Sequence, residues 1–226
     1  MDLTKIEGFF KPSDIRSRVH IIGCGSVGST IAENLARFGI KDFVLYDFDT
    51  VDSHNIVNQM FVQKDMNSMK VDAVKRIITD INPEAAESIV TYPEGYNKQR
   101  LDGYVFLAVD NIDLRREICT ANKLNPAIKA VFDFRTGLDS AQHYAADWSK
   151  ARSKDDLIES MNFSHEEANA ETPMSACHVP LCAATTVRII SAYGVNNFVN
   201  FVKTGKLCKT MIVNMFDFDI EAYFEK

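Results

Sequence analysis

"RVHIIGCGSVGST", residues 18–30, decides how this chain is read. Val19, Ile21 and Ile22 form a short apolar run. Gly23-x-Gly25-x-x-Gly28 follows at once. Residues 26–38 then place Val27, Ile31, Leu35 and Phe38 at helical spacing, and Gly39 ends the run. A strand that passes through a glycine turn into a helix can aim backbone N–H groups at an anion. By itself the pattern fits a dinucleotide such as NAD, the phosphates of ATP, or a turn that only packs helix on strand.

Outward from that stretch, residues 42–49, 88–93, 103–109 and 128–135 read as strands, and 68–81 and 112–124 as helices. The alternation predicts a Rossmann-like α/β fold, a doubly wound and mostly parallel sheet with helices on both faces. Such sheets bind ligands at the carboxyl ends of their strands. Those ends carry Gly23, Gly25 and Gly28, then Asp47 and Asp49, then Asp110 and Asn111. Residues 149–176 are polar and charged with few apolar anchors, and are expected to form a mobile crossover with one short helix. Residues 180–203 return to helix, and 209–224 read as a closing strand or hairpin arm. One domain over residues 1–226 is the expectation.

Composition bounds the function. The chain has 226 residues, 46% hydrophobic and 25% charged, enough to bury a full core. A formal net charge of -6 argues against nucleic acid as the main partner, since a phosphate-binding surface needs excess Lys and Arg. No stretch approaches the roughly 18 apolar residues of a membrane span, and the N-terminus lacks a basic-then-apolar leader. The cysteines (Cys24, Cys119, Cys177, Cys182, Cys208) are odd in number and irregularly spaced, which suggests reduced thiols in a cytoplasmic protein.

The stretch "DFDTVDSHNIVNQ", 47–59, followed by Lys70, separates the ligands. Asp47 ends the second strand at about the distance from the glycines where an acid grips ribose hydroxyls, which suits NAD and ATP alike. A nicotinamide dehydrogenase has no need of further Asp, Asn, Gln and Lys in one connection. A triphosphate does: Lys supplies charge, Asn and Gln supply neutral donors, and carboxylates hold magnesium.

Together, "GCGSVGS", "LYDFDTVDSHNIVNQ", "MNSMKVDAVKRIITDINP", "AVDN" and "LRR" resemble the ThiF/MoeB/HesA superfamily of ubiquitin-activating-enzyme-like adenylyltransferases. The resemblance runs over residues 8–145, and more loosely through 180–200. It implies that a carboxylate at a protein or peptide C-terminus attacks the α-phosphate of ATP, giving an acyl-adenylate and pyrophosphate. The partner would be a small ubiquitin-like or sulfur-carrier protein, or a peptide with a free C-terminal carboxylate. By position, Gly23, Gly25 and Gly28 would line the phosphates and Asp47 would hold the ribose. Asp49, Asn55, Gln59 and Lys70 would surround the triphosphate, and Asp110 would hold Mg2+. A homodimer is implied as well.

The departures from the family pattern shape the alternatives. Relatives read Asn-x-x-Arg-Gln where this chain has Asn55-Ile56-Val57-Asn58-Gln59, so Asn58 stands in place of an arginine. A neutral amide cannot make the charged, bidentate contact of a guanidinium with phosphate. Arg16 or Arg18, or an arginine from a partner subunit, could substitute. Otherwise the chain would be a weakened ATP-binding scaffold that docks a protein. Many relatives carry zinc on paired CxxC motifs; none occurs here, so no zinc is expected. Related enzymes place a thioester-forming thiol in the crossover. Cys177, beside His178 and just before a helix, is the candidate, with an incidental cysteine as the alternative. Arg115 reads as structural, Cys182 as core, and Arg135 either as facing the pocket or as part of an ion pair.

Overall fold

The computed structural model describes residues 1–171, 173–175 and 181–224. Among the described residues eight strands form one sheet: β1 (Val19–Ile22), β2 (Phe43–Tyr46), β3 (Val90–Tyr92), β4 (Gly103–Leu107), β5 (Ile128–Thr136), β6 (Ser140–Asp147), β7 (Cys208–Asn214) and β8 (Asp219–Phe224). Their order is β3-β2-β1-β4-β5-β6-β7-β8. The first five in that order run parallel, and β6, β7 and β8 join antiparallel. Every residue of β1, β2 and β4 is buried, the signature of parallel strands covered on both faces.

The covering helices are α1 (Ser26–Arg37), α2 (Lys70–Ile81), α3 (Ile112–Ala121), α4 (Ala151–Glu159), α5 (His165–Glu171) and α6 (Ala184–Thr204). Alternate strand residues feed two cores. On one face Ile21, Leu45, Phe106 and Phe132 pack with Ile31 of α1, Val74 of α2 and Phe198 of α6. On the other, Ile22, Val44 and Leu107 pack with Ile118 of α3, Leu157 of α4 and Trp148. The Trp148 indole N–H donates to the Asn122 carbonyl at 2.9 Å.

Four features differ from the sequence-based expectation or sharpen it. β6 was not foreseen. Its sequence, SAQHYAAD, buries small alanines and His143 rather than a run of large apolar residues, so its alternation is faint. The described residues of 149–176 hold two helices where one was expected; α4 has few apolar side chains, and Leu157 with Met161 anchors it. Residues 209–224 are a full hairpin, β7 and β8. The helix expected from residue 180 begins at Ala184 and ends at Gly205, whose φ of 70° gives the left-handed stop. Among the described residues no helix is long and apolar enough to cross a membrane.

Candidate nucleotide site

Strand register brings the sequence motifs to one edge. Ile22 pairs with Tyr46 on one side and with Leu107 on the other. The residues just beyond (Gly23, Asp47, and Ala108 to Asp110) are therefore neighbours. The strand order 3-2-1-4-5 places this edge where the winding reverses, the usual ligand crevice of such sheets.

The three glycines do different work. Gly23 has φ 95°, and a Cβ there would lie 2.6 Å from the Ala108 carbonyl carbon. A Cβ on Gly28 would run into the Gly23 carbonyl oxygen. Both are required for α1 to start so close to β1. Gly25 has nothing within 4 Å of its Cβ position. It is the N-cap of α1 and offers no side-chain cap, so the first N–H groups of the helix are left without a side-chain acceptor. A group with phosphate chemistry fits such a cradle.

Asp47 closes the turn from β2. Its carboxylate accepts the Cys24 N–H at 2.6 Å and the Asp49 N–H at 2.9 Å. Burial pushes the Asp47 carboxyl above its usual range, against the pull of those N–H groups and of Lys70. Cys24 is fully buried, and that burial holds its thiol well above the ordinary value, so it is inert. Lys70 opens α2. Its backbone N–H donates to the Asp49 carbonyl at 2.9 Å, and its ammonium, almost wholly buried, pairs with the half-exposed Asp49 carboxylate at 2.7 Å.

The intervening loop is built around buried Asn55, whose side-chain oxygen accepts the Asp52 N–H at 2.9 Å and fixes a short 3-10 helix, Ser53–Val57. The Asn55 side-chain oxygen is thus held by the loop's own backbone. The Gln59 Oε1 atom is buried and has no partner, an acceptor left for a ligand's donor. The Asn58 amide nitrogen donates to the Cys182 carbonyl at 3.2 Å, tying the loop to the chain that enters α6.

Asp110 is exposed just past β4, two residues beyond the backbone that Gly23 touches. Among the described residues no three His, Cys, Asp or Glu side chains gather as a metal site. Magnesium needs only one or two carboxylates when phosphate oxygens complete its shell, so the donor set of Asp110 plus a nucleotide fits that ion.

Arg115 is structural. Its Nε donates to the Val109 carbonyl at 2.7 Å and its Nη1 to Asp133 at 2.6 Å, holding the turn that carries Asp110. Arg135 does not face the glycine turn. Its Nε donates to Asp133 at 2.8 Å, its Nη atoms go to Ser160, and its guanidinium lies 4.2 Å from the Tyr144 ring centroid. Asp133, wholly buried between two guanidiniums, is the residue sequence reasoning missed. An aspartate inside the apolar run "AVFDF" was the available signal. Arg16 and Arg18 do not reach the glycine edge of their own chain. They precede β1 at its amino end, away from Gly23, and Arg18 pairs with Asp42 at 3.2 Å. Cys177 and His178 lie outside the described residues. Cys182 is partly buried, with its Sγ 4.0 Å from the Thr136 hydroxyl.

A parallel sheet with an uncapped helix N-terminus and a carboxylate–ammonium pair at its switch point defines a Rossmann-like protein of the nucleotide-binding class. The ThiF family profile matches residues 14–220, and the chain belongs to that family. It is 45% identical over 67 residues to ubiquitin-like modifier-activating enzyme 5 of Arabidopsis thaliana, covering 29% of this chain and 15% of that protein. It is 29% identical over 119 residues to tRNA threonylcarbamoyladenosine dehydratase of Haemophilus influenzae, covering 49% of this chain and 46% of that protein. The fold is similar to that of E. coli MccB solved with ATP, with a TM-score of 0.71 and 16% identity over 94% of this chain and 65% of MccB. The chain thus spans less than half the length of these two curated relatives.

Proposed function

We propose that the chain is an ATP-dependent adenylyltransferase that activates a carboxylate at the C-terminus of a small protein or peptide. One observation carries this: the open N-terminus of α1, Asp47 and the Asp49–Lys70 pair stand together at the switch point. In the proposed reaction the carboxylate oxygen attacks the α-phosphorus, the bond from that phosphorus to the bridging oxygen breaks, and pyrophosphate leaves. No proton need move, so catalysis is positioning and charge compensation. The α1 N–H groups would cradle phosphate at Gly25, Asp47 would take the ribose hydroxyls, and Lys70 would turn from Asp49 to the leaving oxygens. Gln59 would accept a donor from the nucleotide. Asn55 would hold the loop, and Asp110 would hold magnesium, which neutralises charge on pyrophosphate.

Family membership supports the chemistry. The solved MccB structures include one with ATP and one with a formylated MccA, which supports a peptide or small-protein partner. The relatives' names differ in substrate. A homodimer, Mg2+ dependence, a single functional domain over residues 1–226 and cytoplasmic location belong to the same proposal. So does later transfer of the acyl group to the Cys177 thiol, releasing AMP; Cys177→Ala would then abolish a DTT-sensitive conjugate.

The test is carrier-dependent exchange of labelled pyrophosphate into ATP. Lys70→Ala should lower it by at least about 100-fold, the scale for losing one charged contact in a closed site. Asp110→Ala should raise the magnesium needed. Unchanged exchange in both variants would refute the site. A second reading, a nucleotide-binding scaffold without turnover, rests on the uncharged Asn58 amide and its bond to Cys182. ATP binding without exchange, with every candidate carrier, would favour it.

A further inference from the structure

The gathered site is short of positive charge. Asp47, Asp49 and Asp110 stand at one strand edge, and Lys70 pairs with Asp49 there, while a triphosphate brings several more negative charges. Position 58 does not help, because its amide is spent on the Cys182 carbonyl at 3.2 Å. That bond instead holds the entry to α6 against the loop.

Arg188 stands near the start of α6. Its Nη1 lies 3.1 Å from the Met60 sulfur, two residues past Asn58. The Met60 N–H donates to the Ser29 hydroxyl of α1 at 3.2 Å, so this stretch of loop is fixed to the helix that begins at the glycine turn. Thr186, two residues earlier on the same helix, is pinned by its 2.8 Å bond to the Leu138 carbonyl. Arg188 is therefore an exposed side chain on a rigid mount. Among the described residues no carboxylate pairs with it, whereas Arg115 and Arg135 both spend donors on Asp133. A thioether is a weak acceptor, so Met60 holds the guanidinium without neutralising it. The side chain is long enough to leave Met60 at little cost and turn toward an anion beside the loop.

We infer that Arg188 supplies from α6 the guanidinium that the Asn58 loop lacks, and binds the phosphates of the nucleotide. The inference rests on the proposed ATP site and assigns that site its second protein cation.

Calorimetric titration with Mg-ATP, and competition by adenosine, test it in the full chain. Arg188→Ala should weaken ATP by about 10- to 100-fold, the range for a charge-assisted contact. Adenosine, which has no phosphate, should bind as in the wild type. Arg188→Lys should keep part of the ATP affinity, because it keeps the charge and loses the fork. Introducing Asn58→Arg into Arg188→Ala should recover affinity from the other side of the same gap. Wild-type ATP affinity in Arg188→Ala, or equal losses for ATP and adenosine, would overturn the inference and leave the ATP site standing. Failure of the wild-type chain to bind ATP would overturn both.

Discussion

Gly25→Ala and Gly28→Ala should fail in opposite ways. At Gly25 the φ is -75° and nothing lies within 4 Å of the new methyl. The fold should accept it, at a cost of about 1 kcal/mol for exchanging glycine at a helix N-cap whose ψ is -143°. In a chain of this size that is about 2–4 °C in Tm. The methyl would, however, stand where phosphate must approach the α1 N–H groups. Losing one charge-assisted hydrogen bond there is worth about 1.5–3 kcal/mol, or roughly 10- to 150-fold in Kd. At Gly28 the methyl would strike the Gly23 carbonyl oxygen and come within 3.2 Å of Ile21 Cγ2. Optimal carbon contacts are about 3.5–4.0 Å, and the atom struck is backbone that cannot rotate away. Overpacking of this kind costs about 1–3 kcal/mol or more. Thermal melts should therefore show a near-normal Gly25→Ala and a clearly destabilised Gly28→Ala. ATP titration of the former should show weak binding. Unchanged ATP affinity in a stable Gly25→Ala would refute phosphate binding at this turn.

Asp133→Asn should cost about 3–5 kcal/mol in denaturant unfolding, because it leaves the Arg115 and Arg135 guanidiniums without their shared counter-charge. His143 gives a pH signature. Burial lowers it to about 4, and in the neutral form it bonds the Asp133 carbonyl at 3.0 Å and the Asn197 amide at 3.0 Å. The unfolded chain takes up this proton near pH 6.5 and the folded chain only near 4, so stability should fall as pH drops between those values. The loss should reach about 3 kcal/mol, and Gln in its place should flatten that part of the curve.

The parallel half of the sheet was legible because β1, β2, β4 and β5 are apolar runs that each end in a turn or an acid. The glycine turn, Asp47 and Lys70 were legible because each sits at a strand or helix end, where spacing along the chain fixes position in space. β6 was not, because its buried face carries alanines and a histidine whose partners come from β5 and α6. The bond from Asn58 to Cys182 crosses 124 positions, and no local pattern announces it. Arg135 has the same spacing from its strand end whether it turns toward the glycine edge or toward Asp133. Only the packing of α4 and Phe163 on the opposite face decides.

Trp148, on the face of the sheet away from α1, is the chain's only tryptophan, and it is 2% exposed. Its emission should be blue-shifted in the native protein and move to the red on unfolding. The Trp148 backbone N–H donates to the Lys129 carbonyl near the amino end of β5, away from the carboxyl edge proposed for the nucleotide, so ATP should leave that signal unquenched. The protein thus carries a built-in optical reporter of its own integrity, read independently of ligand binding, so that a variant with weakened affinity can be told from one that has lost its structure.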